Sequence, residues 1–152
     1  MAGDETLTLI EQVLPDFHVS TFFMPSNRRQ AALAILAFEA ELSNVALQVA
    51  EPMVAQIRYA WWREQVDALY SGRPVHAPAF VGIAPLLTAH ELPRPLLDEL
   101  VDAHGRDCET YPFADLQDME EYAVSTCGSV LKLLARVLGA GRDADQAAEQ
   151  AM

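Results

Sequence analysis

The stretch between residues 37 and 72 decides the fold. AFEAELSNV (residues 37–45) leads into IRYAWWREQVDALYSG (residues 57–72), and both pieces have apolar residues at helical spacing. The adjacent residues Trp61 and Trp62 cannot share one face of a helix. We therefore expect one of them in the core and the other near a rim or a partner surface.

Two long helices are predicted here, joined at Glu51 and Pro52, because proline is favoured in the first turn of a helix. The first runs from about Asn27 to Val49, with one buried stripe whose steps are four, three, four, three and four: Ala31, Ile35, Phe38, Leu42, Val45 and Val49. The second ends at Ser71, with Gly72 as its C-cap, and its predicted apolar positions are Met53, Ile57, Trp61 and Leu69.

The rest of the chain also has helical apolar spacing, which predicts an all-α fold of about six helices in one domain, residues 1–152. Further helices are expected at residues 7–14, 79–90, 97–108 and 115–138, with a last one starting near Asp143. Only HVSTFFMP (residues 18–25) has strand-like content. Asp115 is a good N-cap for the last long helix, whose predicted stripe is Leu116, Met119, Ala123, Cys127, Val130, Leu134 and Val137.

Composition excludes several classes of function. With 22 acidic and 10 basic residues the formal net charge is −12, so the surface repels phosphate backbones and a nucleic-acid partner is not expected. No polybasic cluster favours anionic lipid, and no apolar run approaches the roughly 18 residues of a transmembrane segment. The acidic N-terminus is not that of a secretory signal. Cys108 and Cys127 are expected to be reduced core residues, and the chain to be cytoplasmic, with a peripheral position at a membrane left open.

Three segments resemble the squalene/phytoene synthase family, in the family's order and spacing. STFFMPSNRRQAALAILAF (residues 20–38) is similar to its opening, in which a Ser-Phe pair and a proline lead into Arg-Arg and an alanine-rich helix ending in Ala-Phe. WWREQVDALYSGRPVHAP (residues 61–78) is similar to its Trp-Trp, Leu-Tyr-x-Gly and His-Pro pattern. Residues 96–139 resemble the later helix pair. The resemblance implies the N-terminal half of an isoprenoid-synthase-like helical bundle.

The resemblance also implies where catalysis would lie, and there the chain departs from the family. Family synthases condense two prenyl diphosphates, and aspartates holding Mg²⁺ stabilise the departing diphosphate. Ser43 and Asn44 stand where the first of these aspartates are expected, and Thr110 stands where an arginine is expected. Glu39 and Glu41 point about 200° apart on a helix and cannot hold one ion together. Glu39 and Ser43 share a face, but serine is a poor magnesium ligand without a carboxylate beside it.

The residues that the resemblance and the local chemistry suggest for substrate binding are Ser20, Arg28, Arg29, Glu39, Asp107 and Tyr111. The two arginines suit a diphosphate at a helix N-terminus, but they could equally be solvated surface residues. The hydroxyl of Ser20 could instead cap locally. Asp107 could belong to a solvated acidic face with Asp98 and Asp102. The histidines at 76, 90 and 104 have no metal-ligand spacing between them.

The pattern Ala-Phe-x-x-Glu-Leu is similar to a branch of the superfamily that includes a mitochondrial assembly factor for respiratory complex I, in which the aspartate motif is lost. That resemblance implies a lipid-binding or assembly role without catalysis, and no cofactor. Its ligand or partner would be a prenyl diphosphate, another apolar lipid, or a protein. The competing hypothesis is an active prenyl-diphosphate transferase, which would require Mg²⁺.

Overall fold

The computed structural model describes residues 2–49, 51–109 and 113–140. Across these residues the chain forms helices and no strand, which confirms the predicted all-α, isoprenoid-synthase-like bundle. The final helix predicted near Asp143 lies outside the described residues. The helices are α1 (Ala2–Val13), α2 (Pro15–Thr21), α3 (Ser26–Gln48), α4 (Pro52–Tyr70), α5 (Pro78–Ala89), α6 (Arg94–His104), α7 (Leu116–Ala123) and α8 (Ser129–Leu138). A 3₁₀ turn (Gly105–Cys108) follows α6, and a π-helical turn (Val124–Gly128) joins α7 to α8.

Helix α3 is the centre of the bundle. It packs against α1, α5 and α8, while α4 packs mainly against α6. The predicted stripe of α3 is confirmed at Ile35, Phe38, Leu42 and Val45, which are all buried. Phe38 meets the ring of Trp62 at 5.4 Å between centroids and that of Phe80 at 5.0 Å. These aromatic contacts between three helices fix the position of α3 in the core.

The predicted buried face of α4 was wrong at three of its four positions. Met53, Ile57 and Trp61 are exposed, whereas Leu69 is buried as predicted, together with a second apolar row that consists of Ala55, Tyr59, Trp62 and Val66. Both rows have helical spacing, and packing against α6 decides between them. The expectation that one tryptophan is in the core and the other at a rim is confirmed, with Trp62 inside. Gly72, in the left-handed conformation at φ 66°, ends α4 as predicted.

The segment with strand-like content is helical as far as Thr21. Pro15 occupies the first turn of α2, where its fixed φ favours a helix and its missing N–H is not needed. The side chain of Phe17 packs against the core. This short helix was not predicted, because its seven residues are too few to show a helical repeat.

The last long helix is interrupted by the π-helical turn. Asp115 caps α7 as predicted, since its side chain accepts a hydrogen bond of 2.9 Å from the backbone N–H of Asp118. Upstream of the turn, the predicted core positions Leu116 and Met119 are exposed, and Cys127 within it is exposed too. Downstream, four residues are buried as a regular stripe: Val130, Leu133, Leu134 and Val137. The π turn adds a residue to one helical turn and so rotates the two halves relative to each other.

Two expectations about environment change with the structure. The cysteines are free, but neither is in the core, since Cys108 is half-buried and Cys127 is exposed. Among the described residues α3 is long and apolar enough to cross a membrane by length and composition alone, contrary to the expectation that no run approaches that length. However, 56% of its apolar window is buried inside the fold, as in the core helix of a bundle.

Candidate functional site

Four polar side chains from separate elements are joined in a line through the interior. His104 Nε2 lies 3.0 Å from Glu39 Oε1, and His104 Nδ1 lies 2.6 Å from Asp107 Oδ2. The hydroxyl of Tyr122 donates to the other oxygen of Asp107 at 2.5 Å. We call these four residues the buried relay. Glu39 and His104 are both buried, so the relay places ionisable groups where unpaired charge is costly.

Local structure explains why these side chains meet. Glu39 follows Phe38 on the buried side of α3. Helix α6 ends at His104, and the 3₁₀ turn brings Asp107 back beneath the imidazole three residues later. Arg106 in that turn bonds Asp118 at 2.6 Å and so ties the turn to α7, which carries Tyr122.

The electrostatics of the relay favour a charged imidazole. Burial by itself would lower the pKa of His104, but the hydrogen bonds to Asp107 and Glu39 outweigh it and raise the pKa to about 9. At neutral pH both ring nitrogens therefore carry protons and donate, one to each carboxylate. Burial, followed by the hydrogen bond to Asp107, raises the pKa of Tyr122, which keeps its hydroxyl protonated as a donor.

The Glu39 carboxylate is not fully satisfied by the relay. Its Oε1 atom accepts from His104 and, at 3.4 Å, from the hydroxyl of Ser43. Its Oε2 atom is buried and has no hydrogen-bond partner among the described residues. A buried acceptor without a donor is unfavourable, so this oxygen is a point of the relay at which a further hydrogen-bond donor could bind.

The residues present do not fit the Mg²⁺ that the resemblance associates with this position. Mg²⁺ prefers near-octahedral oxygen ligands with carboxylates among them. Ser43 and Asn44 offer only neutral oxygens, and Asn44 turns toward the groove between α3 and α4. The carboxylate of Glu39 is held at Oε1 by an imidazolium, whose positive charge would repel a divalent cation at the neighbouring Oε2. In the described ranges no group of three or more His, Cys, Asp or Glu side chains has the arrangement of a metal site.

The other predicted binding residues lie away from the relay. Arg28 donates to the carbonyl of Val137 at 2.9 Å, and Arg29 donates to the carbonyl of Thr21 at 2.9 Å. The Ser20 hydroxyl donates to a backbone oxygen of its own helix, that of residue 17, at 2.7 Å. The Arg28 bond ties α3 to α8 and the Arg29 bond ties α3 to α2, while the Ser20 bond lies within α2.

Glu39 and Asp107 are the two predicted residues that the structure brings together, with His104 as the bridge. Tyr111 and Thr110 lie outside the described residues. Substrate binding by any of the six candidates stays a prediction.

Two members of the relay, His104 and Tyr122, were missed by the sequence reasoning. A signal for His104 existed, because it falls on the apolar face of its helix with Leu97, Leu100 and Val101. An ionisable residue on a buried face requires a partner. No comparable signal pointed to Tyr122, whose helix buries none of its own residues.

The chain is similar in sequence to known proteins over most of its length. A sequence profile of the family described as squalene/phytoene synthase matches residues 10–152. The bovine NADH dehydrogenase (ubiquinone) complex I assembly factor 6 is 28% identical over 122 residues, which cover 80% of this chain and 37% of that protein. Its homolog from Drosophila melanogaster is 31% identical, with 93% of this chain and 44% of that protein covered. Phytoene synthase of Rhodobacter capsulatus is 26% identical, with coverage of 80% and 37%.

The chain thus spans less than half the length of the curated relatives it matches. No solved structure matches it.

Proposed function

The chain belongs to the squalene/phytoene synthase family, and from that premise we propose that it is a non-catalytic member with an assembly-type role toward a protein partner. Binding of an apolar lipid is compatible with this role. The compartment that the composition favours is the cytoplasm, with a peripheral position at a membrane as the alternative.

One observation carries the proposal. At the position of the family's first aspartates the chain has Ser43 and Asn44, and the nearest buried carboxylate, Glu39, is paired with His104 at 3.0 Å. Promoting departure of a diphosphate requires positive charge that is free to meet it. Here the buried carboxylate is used inside the protein, to hold an imidazolium between α3 and α6. The relay therefore supports a structural use of the position where a synthase would do chemistry.

The names of two relatives suggest the kind of role. The bovine and fly proteins are named as complex I assembly factors, and an assembly factor acts by binding other proteins. We extend only the general role, protein binding without catalysis, to this chain.

The competing function is a Mg²⁺-dependent prenyl-diphosphate transferase. Two features support this competing function as an alternative to be tested. They are the similarity to phytoene synthase and the unsatisfied Oε2 atom of Glu39, which could accept one further ligand. In that function Oε2 of Glu39 would have to bind the metal beside the charged His104 on Oε1, which disfavours it.

The deciding experiment is calorimetry with farnesyl diphosphate and geranylgeranyl diphosphate, each with and without Mg²⁺, on the 152-residue chain. We expect no Mg²⁺-dependent heat of binding, with the fold checked by circular dichroism. The variants Glu39→Gln and, as an exposed control on α4, Glu64→Gln complete the design. Mg²⁺-dependent binding that Glu39→Gln abolishes and Glu64→Gln retains would overturn the proposal in favour of the transferase function.

A further inference from the structure

The first half of α4 presents an apolar row to the outside of the bundle. Met53, Ile57 and Trp61 follow one another at one helical turn each, and their exposed fractions are 73%, 64% and 38%. Val54 lies beside them and is also exposed. Residues four apart stack on one face of a helix, so these side chains form a continuous ridge. Large apolar side chains exposed together mark an interaction surface.

A groove runs along this ridge between α3 and α4. Its volume is about 520 Å³, and its apolar lining consists of Val45, Ile57, Trp61 and Trp62. Such a combination of a tryptophan anchor and a neighbouring apolar pocket is typical of the centre of a protein interface.

The polar side chains of the groove indicate the charge of the partner. Glu41 lies on the α3 side, and burial raises the pKa of its carboxyl group, with a backbone hydrogen bond from Ala79 opposing the shift. No ion pair to Glu41 is formed within the described part of the chain. Glu51, which directly precedes α4, and Glu64 on α4 add two exposed carboxylates, and Arg58 is the basic side chain in the lining.

We propose that this ridge and groove dock an apolar helix of a partner protein, one that places a lysine or arginine side chain against Glu41. The inference rests on the proposed function and deepens it, since it assigns the surface and the chemistry of the partner. An amphipathic helix laid along such a groove is a common mode of recognition and uses anchors at steps of about four residues, the spacing that the ridge offers.

Charge selects this occupant over the alternatives. The net charge of −12 means that a second copy of the chain would bring two strongly acidic surfaces together, and that an anionic membrane would repel the protein. A basic apolar helix is attracted instead, and its cation gains from the partly buried carboxylate of Glu41.

The test uses two designed 18-residue helical peptides with the same leucine face, one with lysines on its flanks and one with glutamates. Binding is followed by the blue shift of tryptophan fluorescence, with Trp61→Phe to confirm which indole reports it. We expect the lysine peptide to bind. Ile57→Asp should weaken it by more than about tenfold, and Glu41→Gln by about tenfold, the ratio that corresponds to about 1.4 kcal/mol. Val81→Asp is the matched control, because Val81 is 71% exposed on α5 and lines a different groove.

Three results would overturn the proposal. The first is no binding of the lysine peptide, or equal binding of both peptides. The second is Ile57-dependent binding to phosphatidylcholine or phosphatidylserine vesicles in place of the peptide, which would assign the face to lipid. The third is Ile57-dependent dimers in sedimentation velocity, which would assign it to a second copy. Each leaves the non-catalytic proposal standing, because that proposal is decided separately by the diphosphate calorimetry.

Discussion

Replacing His104 should lower the free energy of unfolding and should also remove the pH dependence that the relay gives to this free energy. In the folded chain the pKa of His104 is about 9, while that of an unfolded histidine is about 6.5. Because the folded value is the higher one, the stabilisation is fully present below about pH 6.5 and is lost as pH rises through about 9. Each pH unit between the two values corresponds to about 1.4 kcal/mol, so the contribution is about 3 kcal/mol.

The variant His104→Gln keeps an amide donor but cannot become charged. Without the imidazolium, the two carboxylates of Glu39 and Asp107 face one another with no cation between them. We expect a loss of about 3–5 kcal/mol near pH 6.5, as for other buried pairs that lose one partner, and a smaller loss at pH 9.5. His76→Gln is the matched control, since the side chain of His76 is exposed and should not contribute to the fold.

The assay is urea unfolding followed by circular dichroism between pH 6 and pH 9.5, with the imidazole of His104 followed by NMR over the same range. The reasoning would be refuted by parallel pH profiles for wild type and His104→Gln. An NMR titration of His104 near pH 6.5 would refute it independently, because the carboxylates would then give no net stabilisation of the imidazolium.

Three further predictions concern residues of the relay and of the surrounding fold. Gly139→Ala should destabilise the fold by about 2–3 kcal/mol and Gly72→Ala by about 1 kcal/mol in urea melts, because both glycines have positive φ. The loss is larger at Gly139 because a methyl group there would displace the Arg28 guanidinium from its hydrogen bond to the Val137 carbonyl; equal losses would contradict this. Tyr122→Phe should lower the free energy of unfolding by about 1.5–3 kcal/mol, the value of a hydrogen bond to a charged group. An unchanged free energy of unfolding would mean that the hydrogen bond from Tyr122 to Asp107 does not contribute to stability. Trp62→Ala should cost about 3–5 kcal/mol through lost core packing, measured by thermal unfolding, and a loss below about 1 kcal/mol would place that indole outside the core.

The helical class of the fold and the stripe of α3 that contains Ile35 and Phe38 could be predicted from regular apolar spacing. The same helix also buries Ala32, Leu36 and Ala40 on another side, because it lies at the centre of the bundle. On α4 the sequence offers two rows at the same spacing, and hydropathy alone ranks Met53 and Ile57 above Ala55 and Tyr59. The choice between the rows was made by contacts with α6, which no local pattern contains.

The candidate site, too, could be predicted only in part from the sequence. Glu39 and Asp107 could be selected as candidates from the family resemblance, but the bond from Glu39 to His104 joins residues 65 positions apart. Spacing rules apply within one helix, and they do not extend across three elements. The magnitude of the imidazole pKa follows from that long-range geometry, so it could not be inferred from the chain order.

The π-helical turn at Val124–Gly128 has a consequence for how the native state opens. Helix α7 ahead of it buries none of its residues, whereas α8 behind it buries five of ten. Amide protons of α7 should therefore exchange through local opening at low free energy, and those of α8 only through unfolding of the whole bundle. The continuous helix formed by α7, the π turn and α8 thus has fast-exchanging amides on one side of the turn and slow-exchanging amides on the other. Tyr122 lies in the fast-exchanging part.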